Sequence, residues 1–146
     1  MTEAFDHAQA RLALRVIAMP KDTNPYGSIF GGVILSYIDQ AAFVQARLHA
    51  KCRWVTLALD RVEFKRPVYV GDTLNFFART IKTGRSSVTV EVDVQAERFA
   101  PDSAGGEGLA GGVAVTSATL VMVAVDSGGR SIPFADPSQG DGHGQW

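Results

Sequence analysis

The chain has 146 residues, a formal net charge of −1 and a single cysteine, Cys52. That length supports one domain around one core, and the near-neutral balance gives no global field to recruit nucleic acid. One thiol excludes an intramolecular disulfide and a cysteine-based metal cluster, and it fits a reducing compartment.

Residues 1–10 are polar and acidic, without the basic and apolar regions of a signal peptide, and read as a flexible leader. The domain proper is expected over 11–135, followed by a tail rich in Gly, Ser, Gln and Asp over 136–146 that is expected to be disordered. From Arg11 to Met19, Leu12, Leu14 and Val16 alternate with Ala13 and Arg15, which predicts a first strand ended by Pro20. The loop Lys21–Phe30 then leads through Gly31 and Gly32 into the longest apolar run, in which Asp39 is the only ionisable carboxylate between Val33 and Ala46.

That run lacks proline, contains the helix formers Leu35, Ala41, Ala42, Gln45 and Ala46, and meets its cations at Arg47, His49, Lys51 and Arg53. The pattern predicts a helix from Gly31 or Gly32 to about His49, with cations at the negative end of its dipole. Being apolar nearly all round, it should be a core helix; it is too short to span a bilayer. At about 100° per residue, Ile34, Tyr37, Ala41, Val44 and Leu48 form one stripe. Gly32, Leu35, Ser36, Asp39, Ala42, Phe43 and Ala46 form the opposite one. A lone buried charge costs several kcal/mol unless compensated. Asp39 is therefore either paired with a neighbouring serine or amide, or it faces a cleft that uses its charge; the residues alone leave both open.

Four segments of strand character follow. Val55–Arg66 is stopped or moved to an edge by Pro67. Gly71-Asp72 marks a turn before Thr73–Ile81, and Gly84-Arg85 marks another before Ser86–Arg98. In that last segment Val88, Val90, Val92, Val94 and Ala96 alternate with Thr89, Glu91, Asp93, Gln95 and Glu97, a period of two whose polar face should be wet. Ala100–Gly112 reads as a flexible hairpin loop, Val113–Val125 as the last strand and Asp126–Arg130 as a turn. A helix of about 18 residues is roughly 27 Å long, and about five strands make a sheet roughly 24 Å wide. An α+β arrangement follows, in which one curved antiparallel sheet wraps one helix. Its open edges invite dimerisation.

The helix start offers free amides at the positive end of a dipole, so Gly31 and Gly32 suit an oxygen gaining charge; close helix–sheet packing would also explain them. Asn24, followed by Pro25, has the makings of a turn cap. His7, His49 and His143 show no ligand-like spacing, so no metal is expected. The serine in Gly27-Ser28-Ile29-Phe30-Gly31 stands off the nucleophile-elbow pattern.

Asp22-x-Asn24-x-x-Gly27-x-Ile29-Phe30-Gly31-Gly32, with Asp39 on the following helix, resembles the hotdog-fold acyl-CoA thioesterases. The similar branch holds small bacterial acyl-CoA hydrolases and the brown-fat-inducible and cytosolic acyl-CoA hydrolases of animals. The resemblance continues in Val62-x-Phe64-Lys65-Arg66-Pro67-Val68-x-Val70-Gly71-Asp72, in Gly84-Arg85-Ser86-Ser87-Val88 and in Val123-Ala124-Val125-Asp126. It spans roughly Ala13 to Pro133. Val33 departs from it, standing where similar enzymes often carry a larger aromatic residue.

The resemblance implies hydrolysis of acyl-CoA to free acid and coenzyme A. Asp39 would be base or nucleophile, the partner subunit's Asn24 would position water or thioester, and the Gly31 and Gly32 amides would hold the oxyanion. Coenzyme A brings phosphates, for which Lys65, Arg66, Lys82 and Arg85-Ser86-Ser87 are the basic or polar candidates; solvated turns are the plainer account of each. The resemblance also implies a homo-oligomer, a dimer at minimum and a hexamer as a trimer of dimers. No cofactor, nucleic acid or membrane partner is expected, and the location expected is cytoplasmic. Two other functions share the fold: a non-catalytic acyl-CoA sensor, against which the presence of both Asn24 and Asp39 counts, and a hydratase or dehydratase. The latter enzymes use a histidine in the loop and helix, where this chain has none before His49 apart from His7.

Overall fold

The structure, a computed structural model, describes residues 5–98 and 112–134. Strand β1 (Arg11–Ile17) precedes helix α1 (Gly31–Ala46), which is followed by β2 (Arg53–Phe64), β3 (Thr73–Thr83), β4 (Ser87–Glu97) and β5 (Val113–Val125). The five strands form one antiparallel sheet in the order β1-β3-β4-β5-β2. This is the α+β hotdog arrangement that the alternation and the apolar run imply. The glycine-rich loop, except for Gly112, and the tail after Phe134 lie outside the described residues.

The centre of the sheet follows from β4. Val88, Val90, Val92 and Val94 are fully buried on the face that meets α1, because a period of two puts every second side chain on one side. The helix contributes Ile34, Ile38, Ala41, Ala42, Gln45 and Ala46 to the same core. This is a narrower and rotated face compared with the two stripes the sequence suggests: Val44 and Leu48 are exposed. One sheet can cover only one side of a helix, so apolar residues on the far side stay open. The helix also stops at Ala46 rather than His49. Leu48 and His49 donate their N–H groups to Gln45 and Ala46 at 3.2 and 3.0 Å, tightening the last turn.

Two features anchor the outer part of the sheet. Gly71, at φ 89°, makes the turn that buries Asp72. Arg98 donates to that carboxylate through Nε and Nη2 at 2.9 and 3.0 Å, and the Tyr69 N–H adds a third bond at 2.9 Å. The polar face of β4, expected to be wet, is partly covered: Asp93 is only 3 % exposed. Residues 5–10, read from sequence as part of a loose leader, lie over it. His7 Nε2 sits 3.2 Å from the Asp93 carboxylate and 2.9 Å from Gln95 Nε2. The Phe5, His7 and Phe77 rings meet edge to face at 4.8 and 4.9 Å.

The edge strand β2 is the most open part of the sheet. Leu57 is 70 % exposed, and Val55, Leu59 and Phe64 are also exposed. The register of β2 against β5 slips between Asp60 and Glu63, where Arg61 takes φ 51°, so the strand is bulged and bent.

Candidate active site

Asp39 lies on the third turn of α1, at the margin of the buried face where the helix meets β2, and is exposed in the single chain. The sequence suggests a carboxylate in a cleft partly closed to water. Instead one wall is open, since β2 is the last strand of the sheet and reaches only one side of the carboxylate. One partner is in place: the Thr56 hydroxyl donates to Asp39 Oδ1 and lies 3.4 Å from Met122 Sδ. Together with Phe43, Val44 and Trp54, these residues line a groove of about 470 Å³. Thr56 was not legible as a site residue. It sits in a strand of mixed polarity, and its placement depends on pairing with Met122 across the sheet.

Asn24 is held within its own loop, with one Nδ2 hydrogen left over. Its Oδ1 accepts from the N–H groups of Tyr26 and Ser28 at 2.9 and 3.1 Å, and its Nδ2 donates to Ser28 Oγ at 2.8 Å. The turn-cap reading describes these bonds. They hold the carboxamide still and leave Tyr26 projecting from the loop.

The two glycines differ. A Cβ on Gly31 would come within 3.0 Å of the Phe64 ring, so close packing accounts for that glycine, whereas Gly32 faces open space. Phe30 caps the helix without a side-chain hydrogen bond. Neither the Gly31 nor the Gly32 N–H has an acceptor among the described residues, which leaves two donors free at the positive end of the dipole.

The basic residues fall into two sets. Lys65 and Arg66 share a groove of about 310 Å³ with Gly31, Ile34 and Phe64. Arg66 Nη1 donates to the Ala114 carbonyl at 3.0 Å. Arg85, Ser86 and Ser87 form the hairpin between β3 and β4, held by bonds from the N–H groups of Phe134, Ala124 and Gly84 to their respective carbonyls. Lys82 is exposed on the same hairpin. Because Ala114 pairs with Gln95, the two sets stand about eight residues apart along β4, roughly 27 Å.

Within one chain, then, Asp39 meets Thr56, and Gly31 meets Lys65 and Arg66, but these groups do not converge. Gly31 and Asp39 are eight residues apart on α1, about 12 Å along its axis. Among the described residues no cluster of three or more His, Cys, Asp or Glu could hold a metal ion, and no helix is long and apolar enough to cross a membrane.

Residues 26–98 match the model of the thioesterase superfamily. The acyl-CoA thioester hydrolase YciA of Salmonella typhimurium is 36% identical over 140 residues, covering 96% of this chain and 100% of that protein. The chain superposes on a hexameric hotdog fold thioesterase of Campylobacter jejuni with a TM-score of 0.77 at 40% identity, over 85% of this chain and 90% of the other. It superposes equally well, with a TM-score of 0.77 at 34% identity over 90% of each chain, on an aspartate-to-alanine mutant of HI0827. That protein is described as a hexameric broad specificity acyl-coenzyme A thioesterase.

Proposed function

The chain belongs to the thioesterase superfamily, with the hotdog fold; we propose that it is an acyl-CoA thioester hydrolase, like its relative YciA, and that it cleaves its substrate at a site built by two copies of the chain. The observation that carries this reading is the separation just described. Asp39 stands in an open groove about 12 Å from the free amides of its own helix start, so the oxyanion donors nearest to it have to come from elsewhere. An antiparallel pairing of two copies through the exposed β2 edges supplies them. It brings the helix start of one copy towards the middle of the partner's helix.

The same pairing explains the split basic set. β2 begins at Arg53, opposite Val125, and Ser87 pairs with Val123 nearby; β2 ends at Phe64, next to Lys65. Antiparallel edges place the Lys65–Arg66 end of one copy beside the partner's Arg85–Ser87 end. The two sets then form one basic rim for the phosphates of coenzyme A.

In this site the Gly31 and Gly32 N–H groups receive the thioester oxygen as it gains charge, in the geometry of an oxyanion hole. The partner subunit's Asp39, oriented by its Thr56 hydroxyl, takes the proton of a water as that water attacks the carbonyl, or attacks the carbonyl itself. Either way the carbon–sulfur bond breaks and coenzyme A leaves as the thiolate; the first route gives the acid directly, whereas on the second water then hydrolyses the acyl–Asp39 anhydride to release the acid and restore the carboxylate. Asn24, locked by Ser28 and Tyr26, aligns the water or the thioester. The reading uses protein groups alone and no cofactor. Dimers made through β2 assemble into a hexamer, the state of the similar Campylobacter jejuni enzyme.

The test is thiol release from acyl-CoA by the native protein and by Asp39→Ala, with light scattering on the same samples. Hydrolysis by an oligomer that Asp39→Ala abolishes is the expected result. Acyl-CoA binding without thiol release would make the protein a sensor, and hydrolysis by a monomer would sink the shared site.

A further inference from the structure

The groove beside Asp39 continues past the carboxylate. One helical turn on from Asp39 stands Phe43, with Val44 next to it; on the facing strand Trp54 lies two residues before Thr56 on the same side of β2. Beyond Asp39, Gln40 and the Thr56 hydroxyl, the walls named here are apolar. Phe43 and Val44 are exposed, so they offer surface to a ligand rather than to the core.

Trp54 differs from these neighbours. It is only 4 % exposed, its indole Nε1 donates to the Ala50 carbonyl at 3.0 Å, and its ring lies 5.2 Å from that of Phe134. A side chain bonded at one end and backed by another ring does not swing aside, so this part of the groove's lining is fixed.

We propose that this groove receives the acyl chain and that Trp54 is its end wall, setting the length of acyl group the enzyme prefers. The proposal rests on the hydrolase reading above and deepens it by naming the substrate class: straight acyl chains of short to medium length. Thr56 and Trp54 are two residues apart on β2, about 7 Å, which an extended chain of roughly six carbons fills from the reacting carbonyl. Each methylene buried before the wall should raise kcat/KM about fourfold. Past the wall, added carbons have to bend back into water, and the gain stops.

The experiment is a kcat/KM profile of the whole protein over straight acyl-CoA substrates from acetyl to hexadecanoyl. The native enzyme should climb to roughly six carbons and then level off or fall. Trp54→Leu opens the wall and should raise the ratio of kcat/KM for decanoyl-CoA over butyryl-CoA about tenfold. Because Trp54 is buried, Val44→Phe provides a second arm at an exposed position. It narrows the groove and should lower the ratio for hexanoyl-CoA over acetyl-CoA whether or not Trp54→Leu folds. A native profile that keeps rising to long chains, or a break that neither variant moves, overturns the proposal while leaving the hydrolase reading intact. If no acyl-CoA is cleaved, the hydrolase reading fails and the proposal fails with it.

Discussion

The two sides of the sheet treat a carboxylate in opposite ways. On the outer face Asp93 is buried with His7 and Gln95 against it, and at the neighbouring turn Asp72 is buried beneath a two-point bond from Arg98 and the Tyr69 N–H. On the helix side Asp39 has one hydroxyl partner and an open groove in front of it. A carboxylate that folding buries is surrounded by donors, because an unpaired buried charge is costly. One that serves chemistry keeps an oxygen free for the reacting atoms. The contrast assigns different consequences to the same substitution at different places.

The largest effect should come from the groove. Asp39→Ala is expected to lower kcat by about 10²–10⁴ in a thiol-release assay, with thermal unfolding little changed, since Ala favours helix and the site is exposed. Asp72→Ala should do the reverse. It leaves Arg98 and the Tyr69 N–H without their acceptor and should cost about 3 kcal/mol. Calorimetry would then show Tm lowered by roughly 10 °C. If Asp72→Ala unfolds no earlier than the native protein, the division between the two kinds of carboxylate is wrong.

Thr56→Val comes next. It keeps the shape of the side chain and removes the hydroxyl that orients Asp39, so kcat should fall about tenfold, near the value of one hydrogen bond to a charged group. KM should move less. An equal loss through KM alone would make Thr56 a binding residue rather than a positioning one.

The smallest effect concerns pH. Burial pushes the Asp93 carboxyl above its ordinary value of 3.8, with His7 and then Gln95 acting against that rise. A raised carboxyl means the folded state holds the proton more tightly than the unfolded chain does. Its ionisation therefore costs stability as pH rises from 3.8 through the raised value, and the cost is complete above it. Asp93→Asn should remove that slope. The urea midpoint of the variant relative to native protein should rise across this window, and a constant difference would contradict it.

Much of the fold was legible because its signals are local. The alternation of Val88 to Ala96 marks β4 and its buried face, and the run from Val33 to Ala46 marks the helix. The charged partners were less so. His7 meets Asp93, and Arg98 meets Asp72, only once the chain has folded, and no spacing in the sequence encodes either pair. The helix face was misjudged at Val44 and Leu48 because periodicity reports apolar stripes without saying how much of the helix one sheet covers. Of the site, Asp39 stood out as a lone carboxylate in an apolar run, while Thr56 had no such contrast in β2. Gly31 showed a second role in the structure, where the Phe64 ring packs on its missing Cβ.

The central claim is that Asp39 acts with the partner subunit's Asn24, and subunit exchange tests it most directly. Asp39→Ala and Asn24→Ala proteins, each low in activity alone, would be mixed under conditions where exchange is confirmed by mass spectrometry of the intact oligomer. With random exchange, half of the dimers are mixed, and in each of these one of the two symmetric sites carries neither lesion. Thiol release should therefore recover to about a quarter of the native rate. A mixture that has exchanged completely and remains as inactive as its parents would show that Asn24 and Asp39 do not meet across the interface.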